Sequence, residues 1–82
     1  MQTQEITIYG IVVPTDWDDQ GNILKIAIAT YDEGKIIVAP DDRGLALMSC
    51  LRKTVQARGI LRQNNGSREM EIHTFAMDRR QH

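Results

Sequence analysis

The apolar periodicity of this chain changes character once, between Pro40 and Leu61, and that single change limits the folds it can adopt. In PDDRGLALMSCLRKTVQARGIL, a helical step of about 100° per residue puts Leu47, Cys50 and Leu51 on one side, with Met48 at its edge, while Ser49, Arg52 and Lys53 lie elsewhere. From Thr54 the repeat becomes two: Val55, Ala57, Gly59 and Leu61 alternate with Gln56, Arg58, Ile60 and Arg62. The pattern predicts one short amphipathic helix, laid over an apolar opening and running directly into a strand. Asp41 or Asp42 is placed to cap its first turn, and Arg52 and Lys53 to face the negative end of its dipole. Gly44 weakens the intrinsic propensity of that first turn, so packing must hold the helix in place.

Everything around this segment alternates as strands do. In the first strand, from Glu5, residues Ile6, Ile8, Gly10 and Val12 share one face and Thr7, Tyr9, Ile11 and Val13 the other, and Pro14 is predicted to end it. Thr15 to Asn22, TDWDDQGN, is a polar hairpin connection. Ile23 to Tyr31 follows, with Leu24, Ile26 and Ile28 inward and Lys25, Ala27, Ala29 and Tyr31 outward. Past the turn at Asp32, Glu33 and Gly34, a third strand from Lys35 to Ala39 points Ile36 and Val38 inward. After the helix and fourth strand, Asn64-Asn65-Gly66-Ser67 is a turn. Glu69 to Met77 forms a fifth strand with Met70, Ile72, Thr74 and Ala76 on one face, leaving Phe75 and Met77 on the other. The expectation is a single domain over residues 1–82, with its core in 5–77 and a frayed polar tail at 78–82. Its element order is βββαββ, and the mid-strand glycines Gly10 and Gly59 fit the sharp curvature of a small barrel.

Composition narrows the function classes. Eighty-two residues leave little room for an enclosed catalytic cleft. The net charge is −1, so no global field recruits nucleic acid or membrane. Charge is uneven along the chain: residues 1–42 hold two basic and eight acidic side chains (−6), residues 43–82 eight basic and three acidic (+5), which sum to −1. Cys50 is the only cysteine, which excludes an internal disulfide and, on the apolar helix face, predicts a buried small hydrophobe. The start, MQTQEITIYG, has no basic segment followed by an apolar run, and no stretch nears the roughly 18 apolar residues of a membrane span. A cytoplasmic protein with no membrane partner is expected.

With these elements in order, the chain resembles the OB-fold, a five-stranded Greek-key barrel with a helix between strands three and four. The run GIVVPTDWDDQGN, followed by the strand, helix and VQARGIL elements, is similar to small single-domain bacterial proteins of that fold. A β-grasp would place two strands before its helix, and an SH3-like barrel needs no full helix at this point. The resemblance implies a ligand groove across strands two and three, rimmed by the loops between strands one and two and strands four and five. Here that groove would present Lys25, Ala27, Ala29, Tyr31, Lys35 and Ile37, with Trp17 on one rim and Arg62 and Arg68 near the other. Single-stranded DNA or RNA would stack bases on Tyr31 and Trp17, at about 1–3 kcal/mol per base, and set its phosphates against the four cations. Asp16, Asp18 and Asp19 on the Trp17 rim oppose such phosphates.

A second class of function comes from apolar side chains on the face that should meet water: Tyr9, Ile11, Val13, Ile37, Ile60, Phe75 and Met77. Such a patch, tested best at Ile37 and Phe75, would serve a homo-oligomer or a protein partner. Catalysis finds no constellation, since His73, His82 and Cys50 form no nucleophile, acid or metal-ligand spacing. Asp16-x-Asp18-x-Gln20-Gly21 begins like a calcium loop, but Ala27 stands where the bidentate acid belongs. The sequence therefore predicts a non-enzymatic binding module without metal or cofactor.

Overall fold

The computed structural model describes residues 4–32, 34–64 and 66–77, so the expected tail at 78–82 lies outside the described residues. Five strands, β1 (Glu5–Trp17), β2 (Ile23–Thr30), β3 (Lys35–Val38), β4 (Thr54–Asn64) and β5 (Ser67–Met77), close into a barrel in the order β1-β2-β3-β5-β4. A helix, α1 (Asp42–Ala46), continued by a 3₁₀ turn at Leu47–Cys50, lies between β3 and β4. This closed five-stranded barrel with one helix is compatible with an OB-like arrangement.

Closure depends on β1 serving two neighbours. Its residues 5–11 pair with β4, its residues 10–17 with β2, and Gly10 and Ile11 pair with both. At that corner a Cβ on Gly10 would sit 2.4 Å from the Ala29 carbonyl oxygen, and one on Gly59 would sit 1.9 Å from that of Glu71. Backbone fills the space a side chain would need, which is why the curvature falls on these two residues.

The inward rows behave as the alternation predicts over most of their length: Ile8, Val12, Ile26, Ile28, Ile36, Val38, Val55, Ala57, Met70 and Ile72 are buried. Leu47, fully buried, and Cys50 join the same core cluster from the helical segment. A fully buried aliphatic side chain of this size stabilises by about 1.5–3 kcal/mol, so the plug matters more than the helix's own propensity. Asp41 is the N-cap, its carboxylate accepting from the Gly44 N–H at 2.8 Å. Gly44 has a packing reason as well, because its Cβ would meet the Ala39 carbonyl oxygen at 2.1 Å. Helical structure stops at Cys50, and Arg52 and Lys53 form the turn into β4 instead of closing the helix. Arg52 adopts φ 65, its N–H donates to Val12 O (2.7 Å), and Val12 N–H donates to Lys53 O (3.1 Å).

Three expectations are corrected. Pro14 does not end β1, which runs to Trp17. Val12 N–H points away from β2, and Pro14, two residues on, has its nitrogen on the same side, beyond the last β4 partner. No ladder bond is lost there. Leu24 is not inward but half exposed, because the β1–β2 ladder shifts register between Pro14 and Asp16 and again between Asp16 and Trp17. Asp16 pairs with Lys25 and Trp17 with Ile23, so Leu24 is passed over and Ile23 packs on the core instead. The third concerns β5. Arg58 pairs with Thr74 and Gly59 with Ile72, leaving His73 bulged. That extra residue puts Phe75, not Thr74, on the side of Ala57, where it packs against the core.

Among the described residues no helix is long and apolar enough to cross a membrane.

Candidate functional site

The outer surface of β2 and β3 gathers most of the side chains the sequence singled out. Lys25 is exposed and lies in register with Asp16 of β1. Ala27 sits between Val13 and Ile37 and is fully buried, since larger neighbours on both sides cover it. Ala29 lies between Ile11 and Lys35, and Lys35 is exposed at the start of β3. Trp17, 51% exposed, ends β1 in register with Ile23, and Tyr31, 69% exposed, directly follows β2.

Of the remaining candidates, Ile37 lies on the same face beside Ala27, and the others separate from it. Ile37 is half-buried, with Glu69 as its partner on β5. Arg62, on β4, forms an ion pair with Glu71 of β5 at 3.0 Å. Arg68, on β5 in register with Gln63, brings its guanidinium beside Gly34, where a Cβ would lie 3.7 Å from Nη2. Phe75 is packed against the core, which removes it from the outward patch in which its sequence parity placed it. The structure thus places Lys25 on β2, Tyr31 just past it, Lys35 on β3 and Trp17 at the end of β1, sets Arg68 beside the β2–β3 turn, and leaves Arg62 paired with Glu71 and Phe75 against the core.

The acidic rim is a built turn. Asp18 accepts from the backbone N–H of Gln20 (2.9 Å) and Asn22 (2.8 Å) and from the Asn22 side-chain amide (3.1 Å). The backbone bond from Asn22, then its side-chain bond, hold the Asp18 carboxyl below its ordinary pKa, so the rim stays anionic. Among the described residues, no three His, Cys, Asp or Glu side chains converge as a metal-ligand set.

Two features escape sequence reasoning. Across the outer face of β1, β4 and β5, His73 Nδ1 lies 2.7 Å from Glu5 Oε2 and its Nε2 3.3 Å from Glu71 Oε2. Arg58 approaches Glu5 at 3.9 Å and Arg62 completes the row on Glu71. The bond to Glu5, then that to Glu71 and the charge of both carboxylates, raise the His73 pKa. Glu5 and His73 are 68 positions apart, and nothing local in the sequence joins them.

The second feature is a groove of about 350 Å³ lined by Thr7, Ile8, Tyr9, Tyr31 and Asp32. Tyr9 is 43% exposed on β1, and the Tyr31 hydroxyl lies 3.3 Å from Oγ1 of buried Thr54. The outward parity of Tyr9 was visible in the sequence, but its meeting with Tyr31 depends on the closure of β1 onto β2.

No protein-family model matches the chain, and no curated protein matches it either.

Proposed function

We propose that this protein is a non-enzymatic binding module of OB-fold type that takes single-stranded DNA or RNA along the outer face of β2 and β3. The observation that carries this reading is the pair Trp17 and Tyr31, both more than half exposed, at the end of β1 and just past β2, together with exposed Lys25 on β2 and Lys35 on β3. Exposed rings supply stacking platforms and lysines neutralise phosphates, the two parts that sequence-tolerant single-strand binding requires. Arg62 is paired with Glu71 and Arg68, beside the β2–β3 turn, has interactions of its own, so the two lysines carry most of the cationic track. The compartment is proposed to be the cytoplasm.

Trp17 is the only tryptophan, so its fluorescence reports on the face directly. Mixed-sequence single-stranded DNA and RNA should change it saturably at low salt and more weakly at physiological salt. The double substitution Lys25→Glu and Lys35→Glu should lower affinity at least about tenfold and flatten the salt dependence, each lost phosphate contact removing roughly 0.7 from the log–log slope. Unchanged affinity in that variant defeats the reading.

A protein partner or a homo-oligomer is the second reading, favoured by one observation: Tyr9, Trp17, Leu24, Leu45 and Met77 are large apolar side chains left 43–51% exposed. A silent Trp17 at low salt, where electrostatic attraction is greatest, shifts the weight to this reading and makes solution mass the deciding measurement.

A further inference from the structure

The groove between Tyr9 and Tyr31 has the wrong chemistry for a phosphate. Among the described residues its lining is Tyr9, Tyr31, Thr7, Ile8 and Asp32, with no basic side chain. Arg58, in register with Thr7 on the neighbouring strand, turns to Glu5. Residues 1–42, which supply the whole lining, carry a net −6. Aromatic faces attract cations through their quadrupole, and a carboxylate at the same site adds both charge and hydrogen-bond acceptors. The bond between Tyr31 and Thr54 at 3.3 Å holds one ring in place before anything binds, which reduces the ordering cost of association.

We propose that the Tyr9–Tyr31–Asp32 groove receives an arginine side chain of a partner protein. A guanidinium fits better than an ammonium because it is planar, stacks on a ring face, is weakly hydrated and presents a fork of donors to a carboxylate. Arginine and tyrosine are also the residue types over-represented at the energetic centres of protein interfaces. The site goes beyond the nucleic-acid reading and does not depend on it, although the two share Tyr31. Lys25→Glu with Lys35→Glu, which should weaken oligonucleotide binding at least about tenfold, leaves the arginine site intact.

The test is a titration of the full chain with N-acetyl-arginine amide, followed by backbone amide NMR shifts, with N-acetyl-alanine amide as control. Saturable shifts should cluster at Thr7, Ile8, Tyr9, Tyr31 and Asp32, absent with the alanine probe. Asp32→Asn and Tyr31→Leu should each weaken binding roughly two- to fivefold, the range expected for one exposed cation–aromatic or ionic contact. Asp19→Asn, on the acidic hairpin, should leave it unchanged. The proposal is overturned if no shifts saturate, if they follow the hairpin acids, or if Asp19→Asn weakens binding as much as Asp32→Asn. It is also overturned if replacing Arg79 and Arg80 by alanine tightens probe binding, since the chain's own arginines would then be the groove's occupants.

Discussion

The two long hairpins of the barrel each carry a bulge, and the bulges do opposite things. In β4–β5 the extra residue is His73, and the register change brings Phe75 onto the core. Its side chain is held by Glu5 and Glu71, and its carbonyl accepts from Arg43 Nη1 at 3.1 Å. In β1–β2 the register change sends Leu24 outward and leaves Trp17 half exposed, while Thr15, skipped in the ladder, keeps a buried hydroxyl oxygen with no hydrogen-bond partner among the described residues. An unpaired buried hydroxyl costs about 1–3 kcal/mol, and exposed apolar side chains forgo burial. One bulge brings an aromatic ring onto the core. The other leaves an aromatic edge exposed beside an acidic turn, at a cost in burial.

The most severe way to break the β4–β5 hairpin is at Gly59. A Cβ there would lie 1.9 Å from the Glu71 carbonyl oxygen, 2.9 Å from its carbonyl carbon and 3.1 Å from the Ile72 Cα, all backbone of β5 that no side-chain rotation can move aside. Gly59→Ala should cost at least about 3 kcal/mol, a fall in Tm of roughly 12–24 °C for a domain of this size. A Tm within a few degrees of the parent would mean that the two strands separate there at little cost, and the contrast between the hairpins would lose its basis.

A milder pair of substitutions sharpens the comparison by reversing what parity alone predicts. Alternation counted from Met70 puts Phe75 outside and alternation counted from Ile28 puts Leu24 inside, yet the bulges exchange the two. Phe75→Ala should therefore lose about 1.5–3 kcal/mol, somewhat below the range for a fully buried ring, whereas Leu24→Ala should lie within about 0.5 kcal/mol of the parent. Urea denaturation of both variants checks this, and equal losses would argue against the register given for one of the two ladders.

These exchanges also show what a sequence can and cannot convey. The Asp41 cap, the buried Cys50, the start of β4 at Thr54 and the glycines at the corners were legible because each depends on residues close in sequence or on a strict period. Bulges depend on the partner strand, and a run such as Leu24-x-Ile26-x-Ile28 alternates perfectly whether or not its first member is passed over. The same reason limited the site. Exposed Lys25, Tyr31 and Lys35 followed from period two along β2 and β3, but the pairing of Arg62 with Glu71 and the closing of Tyr31 over β1 required the barrel itself.

The smallest expected effect tests whether the His73 bulge is held by charge as well as by packing. Its bond to Glu5, and then that to Glu71, raise its folded pKa above the ordinary value of 6.5, so the folded state binds the proton more tightly than the unfolded chain does. The resulting stabilisation is complete below about pH 6.5 and fades as pH rises through the higher folded pKa. A neutral imidazole has one N–H, so above that range only one of the two carboxylates keeps a donor from His73, while Glu71 retains Arg62 at 3.0 Å. The network should loosen without coming apart. His73→Gln carries no titrating group, so its stability should change less than that of the parent between about pH 5.5 and about pH 8.5, and added salt should shrink the difference because the partners are partly exposed. Parallel stability curves for parent and variant would assign the bulge to backbone geometry and to the inward pull of Phe75 alone.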